Sequence, residues 1–199
     1  MESPASALLP HVGVVAVVGR TNVGKSTLVN AMLGEKISIV SPVVQTTRNV
    51  VRGVLTDGRG QLVLVDTPGL HKSQSVLCTM MNKQARAAAD GVDAVLLVVD
   101  GSKKAQLEDE GWMRRLLTSK QPVFVFLNKA DVASRTEEFR ELWNALKAEG
   151  GGDGAAHRAA IAVKPQDAQA GLPLQQRLEG GVVARFDRAA QRHDPLARR

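Results

Sequence analysis

The chain has 199 residues, 44% hydrophobic, 23% charged and 3% aromatic, with a formal net charge of +6. That length and balance suit one globular domain with its own core, and no apolar run approaches the ~20 residues of a membrane span, so no transmembrane segment is expected. The positive charge admits an anionic partner without requiring one, while the lack of any Tyr argues against a nucleic-acid surface built on stacked aromatics.

The start, Met1-Glu2-Ser3-Pro4, has neither a basic region nor a long apolar core. It predicts no signal or transit peptide and a cytoplasmic protein. Residues 12–18 read as a strand, followed by Gly19-Arg20-Thr21-Asn22-Val23-Gly24-Lys25-Ser26 and a helix over 25–33. The run fits G-x-x-x-x-G-K-[ST], and its strand–loop–helix setting is the one a phosphate-binding loop needs. Successive backbone N–H groups, from Gly19 through Asn22, Val23 and Gly24 to Thr27, make an anion nest, and the helix start adds its positive dipole end. Lys25 is expected over the bridge between β- and γ-phosphates, with the Ser26 hydroxyl on Mg²⁺. Gln45-Thr46-Thr47-Arg48 lies before the next strand. A switch Thr there closes over Mg²⁺ and the γ-phosphate and swings away once phosphate leaves. Either Thr suits; Thr47 is favoured because it directly precedes Arg48, which opens the strand.

Residues 49–55 read as strand, Asp57-Gly58 as a hairpin turn and 61–65 as the returning strand, so the second strand should run antiparallel to the third. Asp66-Thr67-Pro68-Gly69 ends it. Alone this is ordinary turn chemistry. Downstream of a phosphate loop, Asp66 becomes a carboxylate for Mg²⁺, through water, and the Gly69 N–H a sensor of the γ-phosphate. Leu70 stands where Ras-like switches carry a water-orienting Gln, and it cannot hydrogen-bond water. His71 reads as a surface residue. Charge stabilisation by Lys25, Mg²⁺ and the loop amides is therefore expected to dominate any hydrolysis.

Residues 76–90 read as a helix with Leu77, Met81, Ala85 and Ala88 on one face. The single Cys78 excludes an internal disulfide and fits a reducing compartment; beside Met80 and Met81 it reads as packing. Residues 93–99 form a continuous buried strand. Residues 107–117 read as a helix, acidic at Glu108-Asp109-Glu110 and basic near Arg114, Arg115 and Lys120, in the order that complements a helix dipole. After Pro122, a strand over 123–127 ends in Asn128-Lys129-Ala130-Asp131. Guanine offers two adjacent donors, its ring N1–H and its exocyclic amino group. One carboxylate accepts both, and Asp131 supplies it. Asn128 ties this loop to the phosphate loop, and the Lys129 stem packs on the base. Phe139, Leu142, Trp143 and Leu146 have the spacing of an amphipathic helix.

After Glu149 comes the breaker run Gly150-Gly151-Gly152-Asp153-Gly154. Ile161-Ala162-Val163 reads as a sixth strand and Leu172-Pro173-Leu174 with Leu178 as a short last helix. The predicted fold is α/β, a doubly wound, mostly parallel sheet with one antiparallel strand and the motif loops at the strands' carboxyl ends. Residues 1–180 form the domain. Residues 181–199 form a basic tail with little to bury, expected to fray.

These motifs resemble the Era-type GTPases, P-loop proteins related to the translation-factor GTPases. The likeness rests on residues 19–30, Gln45-Thr46-Thr47-Arg48, Asp66-Thr67-Pro68-Gly69-Leu70-His71, Asn128-Lys129-Ala130-Asp131 and Lys36-Ile37-Ser38-Ile39-Val40-Ser41, and covers about residues 10–149. It implies a GTP/GDP-binding switch with slow Mg²⁺-dependent hydrolysis, in which Lys25, Thr47, Gly69 and Asn22 serve catalysis and Ser26, Thr47 and Asp66 the metal. It also implies a role in small-ribosomal-subunit assembly, with ribosomal RNA bound by a KH domain that follows the GTPase domain. In related potassium-dependent GTPases the Asn matching Asn22 helps hold K⁺ beside the phosphates; on the residues alone, Asn22 serves equally as a left-handed turn residue.

Three departures from the family stand out. The usual Ser-Ala, whose N–H reaches guanine O6, corresponds to Lys164-Pro165, and proline has no N–H to give. No KH domain is legible, and Gly151-Gly152-Asp153-Gly154 lacks a KH pattern around it. Thr21 stands where relatives often have Pro. An alternative reading is a nucleotide-sensing module with negligible hydrolysis, since Leu70 and the altered end leave binding without useful catalysis. A third is the GTPase module of a tandem-domain relative in tRNA modification or ribosome assembly.

Overall fold

Valine- and leucine-rich runs make the strands here, and turn residues at their ends set the strand lengths. A computed structural model of the protein describes residues 11–38, 49–57, 60–70, 75–129, 132, 135–149 and 160–163. In chain order the elements are β1 (Val12–Val18), α1 (Lys25–Leu33), β2 (Val51–Asp57), β3 (Gly60–Asp66), α2 (Val76–Ala88), β4 (Ala94–Asp100), α3 (Leu107–Leu117), β5 (Val123–Asn128), α4 (Thr136–Glu149) and β6 (Ala160–Val163). The strands form one sheet in the order β2-β3-β1-β4-β5-β6. Among the described strands only the β2–β3 pair is antiparallel, with Val51 opposite Asp66 and Asp57 opposite Gly60.

Alternation along each strand divides the core into two layers. Ala16, Val18, Val95, Leu97, Val99, Val123, Val125 and Leu127 face α2, α3 and α4, whose Ala85, Trp112, Met113, Leu116, Phe139, Trp143 and Leu146 are buried against them. Val15, Val17, Leu64, Leu96, Val98, Phe124 and Phe126 form the opposite layer with Val29 and Met32 of α1. Parallel pairing brings the carboxyl ends of β1, β3, β4 and β5 together: Val17 lies beside Asp66, and Asp100 beside Asn128. The loops that carry the sequence motifs therefore emerge at one edge of the sheet.

The strand and helix order follows the sequence reading, with ends moved by a residue or two. The buried face of α2 is a correction. Met81, Ala85 and Cys78 are buried as expected, but the last buried position is Ala89 and not Ala88, and Leu77 is 47% exposed. Ser75 caps the helix by accepting the Cys78 N–H, which fixes the helix start. From that start the i, i+3, i+7, i+11 row meeting the sheet is 78, 81, 85 and 89. The small sulfhydryl goes inside in place of the larger leucine. The proposed last helix, the tail over 181–199 and Lys164-Pro165 lie outside the described residues.

Candidate functional site

The phosphate-loop sequence leaves β1 at the buried Val18 and enters α1 through residues whose backbone most side chains resist. Gly19 has φ 145° and Gly24 φ 98°. A Cβ on Gly19 would strike the Val98 carbonyl, and one on Gly24 the Asn128 side-chain amide. Both positions thus need glycine for conformation and for room. Asn22 also sits in the left-handed region, at φ 58°. Helix α1 begins with no side-chain cap bond and no acidic residue in its first turn. A helix start without an acidic or capping side chain leaves its positive dipole end open to an anion. Lys25 is 6% exposed, and its Nζ folds back to donate to the Arg20 carbonyl at 2.8 Å. Burial pulls its pKa down to about 8; Asp66 opposes that shift and Arg20 adds to it. A buried ammonium with one neutral partner is a strong attractor for a phosphate group.

Beside Lys25, Ser26 Oγ donates to Asp66 Oδ2 at 2.7 Å. Asp66 is fully buried, and its other oxygen, Oδ1, has no partner. Burial pushes this carboxyl up, and the Ser26 hydroxyl together with the Lys25 charge pulls it back. A buried carboxylate oxygen without a partner beside a hydroxyl suits a small hard cation such as Mg²⁺, which takes oxygen ligands and binds through one or two carboxylates plus phosphates. Thr47, the third residue read as a metal ligand, lies outside the described residues. So does His71.

The turn after β3 is tied to the phosphate loop. Thr67 Oγ1 donates to the Val17 carbonyl at 2.8 Å. The Leu70 N–H donates to Gly19 O and the Thr21 N–H to Leu70 O, both at 3.3 Å. Gly69 packs so closely on Thr21 that a Cβ would lie 2.6 Å from its backbone. Leu70 is 7% exposed and belongs to the α2–α3–α4 core layer. The residue that cannot orient a water is a packing residue.

On the far side of the loop, Asn128 Nδ2 donates to the Val23 carbonyl at 2.8 Å. Lys129, at φ 60°, donates to the Asn22 carbonyl at 2.8 Å and pairs with Asp100 Oδ2 at 3.0 Å. Asp100 also accepts the Ser102 hydroxyl at 2.5 Å. Burial raises the Asp100 carboxyl, but Ser102 and Lys129 outweigh it, so it stays ionised below the usual range. Asp131, read as the guanine acceptor, lies outside the described residues. Asp100 was not singled out in the sequence; a carboxylate ending a fully apolar strand was the available signal.

A second such residue is Asp109. It is fully buried at the start of α3 and binds Arg20 Nε at 3.1 and 3.3 Å. Its Oδ2 also accepts the Gln106 N–H at 3.0 Å, closing a capping box. In the sequence it looked like one of three acids serving the helix dipole; the pairing to Arg20, 89 residues away, has no local signal.

Known proteins resemble this chain in sequence and in fold. Residues 14–129 match the family model described as 50S ribosome-binding GTPase. GTPase Era of Crocosphaera subtropica is 47% identical over 130 residues, 65% of this chain and 41% of that protein. GTPase Era of Deinococcus radiodurans is 46% identical over 136 residues, 68% of this chain and 44% of that protein. The chain thus spans less than half the length of these curated relatives. Among solved structures, Era in complex with MgGDPNP and nucleotides 1506–1542 of 16S ribosomal RNA aligns with a TM-score of 0.64 and 27% identity, covering 92% of this chain and 56% of that one. An Aquifex aeolicus Era variant bound to GDP and AlF4⁻ gives 0.63 and 27%, covering 92% and 57%. Arabidopsis thaliana Toc33 with Mg²⁺ and GMPPNP, at 22% identity and a TM-score of 0.53, shares the fold. With a phosphate loop, a buried lysine and a serine–aspartate pair at one sheet edge, and the family model matched over more than half its length, the chain belongs to the 50S ribosome-binding GTPase family and is of the Era type.

Proposed function

We propose that the protein is the nucleotide-binding domain of an Era-type switch, one that binds GTP and GDP with Mg²⁺ and hydrolyses GTP slowly. The observation that carries this reading is the Ser26–Asp66 contact beside the buried Lys25, with Asp66 Oδ1 left without a partner. Lys25 gives up its bond to the Arg20 carbonyl and takes the β/γ-phosphate oxygens. The N–H groups from Gly19 to Thr27 hold the remaining phosphate oxygens. Ser26, Asp66 and Thr47 hold the cation, and Gly69 presents its N–H to the γ-phosphate. When bound, Mg²⁺ supplies charge neutralisation for the phosphates. Asn128 locks the base-side loop to Val23, Asp100 orients the Lys129 stem, and Asp131 accepts both guanine donors. Residues 1–180 make up this domain, and 181–199 a basic tail.

Asn22 is proposed to hold K⁺ through its exposed side chain while its backbone completes the turn. We take small-subunit assembly in the cytoplasm as the wider setting; the Era relative solved with a 16S ribosomal RNA fragment supports ribosomal RNA as partner. A second reading is favoured by one observation. Leu70 is buried in the core, so no side chain at that position orients water, and a nucleotide sensor with negligible turnover has the same site. Single-turnover GTP hydrolysis with Mg²⁺ and K⁺ separates the two. Phosphate release above the uncatalysed rate supports the switch; GTP retained intact supports the sensor.

A further inference from the structure

Asn30, on α1, uses both ends of its amide on one short stretch of backbone. Its Oδ1 accepts the N–H groups of Ile37 and Ser38 at 2.9 and 2.8 Å, and its Nδ2 donates to the Ser38 carbonyl at 2.7 Å. So complete a clamp on residues seven and eight positions along the chain fixes the backbone at Ser38. Ser38 is 1% exposed, and its hydroxyl has no hydrogen-bond partner. That is costly for a buried polar group. Asn30 stands one turn beyond Ser26 on the same face of α1, so the clamp brings Ser38 up to the Ser26–Asp66 pair. Asp66 Oδ1 is the other buried oxygen there without a partner. Two buried oxygens in this part of the site, each without a well-formed hydrogen bond, mark a place built for something that binds both. A Ser at 38 that served packing alone would bury its hydroxyl at a loss, and Ala would do better.

We propose that Ser38 belongs to the cation site, its hydroxyl binding the water shell of the divalent ion beside Asp66, and that Asn30 is the positioning residue that holds it there. This rests on the Mg²⁺–nucleotide reading above. The site then draws oxygens from three parts of the chain: Ser26 of the phosphate loop, Asp66 at the end of β3, and Ser38 on the segment leading to Thr47. Cation binding would thereby tie that segment to the phosphate loop whether or not a γ-phosphate is present, so the contact should operate in the GDP state.

The test is Mg²⁺ dependence of fluorescent GDP release from the whole chain, with Mn²⁺ binding to the GDP complex read by electron paramagnetic resonance. Groups that hold a metal's bound water typically contribute about 10-fold or more in metal affinity. Ser38→Ala is therefore expected to raise the half-saturating Mg²⁺ about 10-fold while GDP affinity in EDTA is unchanged, and Ser38→Thr to stay within about twofold of the parent. Asn30→Ala should shift Mg²⁺ dependence in the same direction as Ser38→Ala. Parent-like Mg²⁺ and Mn²⁺ binding in Ser38→Ala overturns the proposal. Parent-like binding in Asn30→Ala overturns the positioning role. If the parent binds no GDP at all, it is the proposed function that fails, a result distinct from either.

Discussion

Lys25 concentrates the electrostatics of the site in one side chain. Its pKa is drawn to about 8 from an ordinary 10.5, so the free protein loses half of this charge near pH 8. Bound phosphate favours the charged form, so binding takes up a proton above that pH and affinity falls as pH rises. GDP affinity should drop about 10-fold between pH 7 and 9, measured by titration at constant ionic strength. A flat profile would mean that Lys25 is already fully charged in the free protein. Asn22 poses a question of the same size. Its φ of 58° makes Asn22→Ala a strained test, whereas Asn22→Gly keeps the turn and removes the amide. If the amide holds K⁺, the parent hydrolyses GTP faster in KCl than in NaCl at equal ionic strength, and Asn22→Gly erases that difference while still binding GDP. Equal parent rates in the two salts would leave Asn22 with its turn alone.

At the scale of elements, α3 is joined to the phosphate loop by one buried ion pair. Asp109 caps the helix through the Gln106 N–H and receives Arg20, whose side chain is 12% exposed. Asp109→Ala leaves that guanidinium without its carboxylate and the Gln106 N–H without its acceptor. The expected cost is about 3 kcal/mol of stability, read by urea denaturation. A loss under about 0.5 kcal/mol would show that solvent satisfies Arg20 once the pair is broken. The order of strands and helices was legible because apolar runs and turn residues are local. Gly19, Gly24 and the Ser26–Asp66 pair were legible because the chemistry of phosphate and metal fixes residue type and spacing. Arg20–Asp109, Lys129–Asp100 and the inward turn of Leu70 were not. Each depends on which elements the sheet order brings together, and no window of sequence contains both partners. Part of the α2 face was misplaced for a related reason: which row of the helix meets the sheet depends on how the helix packs, and the i, i+4 spacing from Leu77 to Met81 fits an amphipathic face as well as the row that runs through Cys78 and Ala89.

For the whole molecule, the sheet gathers four carboxyl-end loops at one edge, and hydrogen bonds cross-link them. Leu70 and Gly19 join the β3 and β1 loops, Asn128 and Val23 the β5 and β1 loops, and Lys129 and Asp100 the β5 and β4 loops. If the proposed function holds, such a framework keeps the phosphate, cation and base contacts in fixed relation, and binding should be selective for the complete guanine nucleotide. The most direct measurement is calorimetric titration of the full 199-residue chain with GDP and with ADP in Mg²⁺, alongside Lys25→Ala. GDP should bind and ADP should not, and Lys25→Ala should lose ~30- to 1,000-fold in GDP affinity, the ~2–4 kcal/mol of a buried charge contact to phosphate. Equal affinity for ADP and GDP, or a Lys25→Ala chain that binds GDP like the parent, would contradict the account.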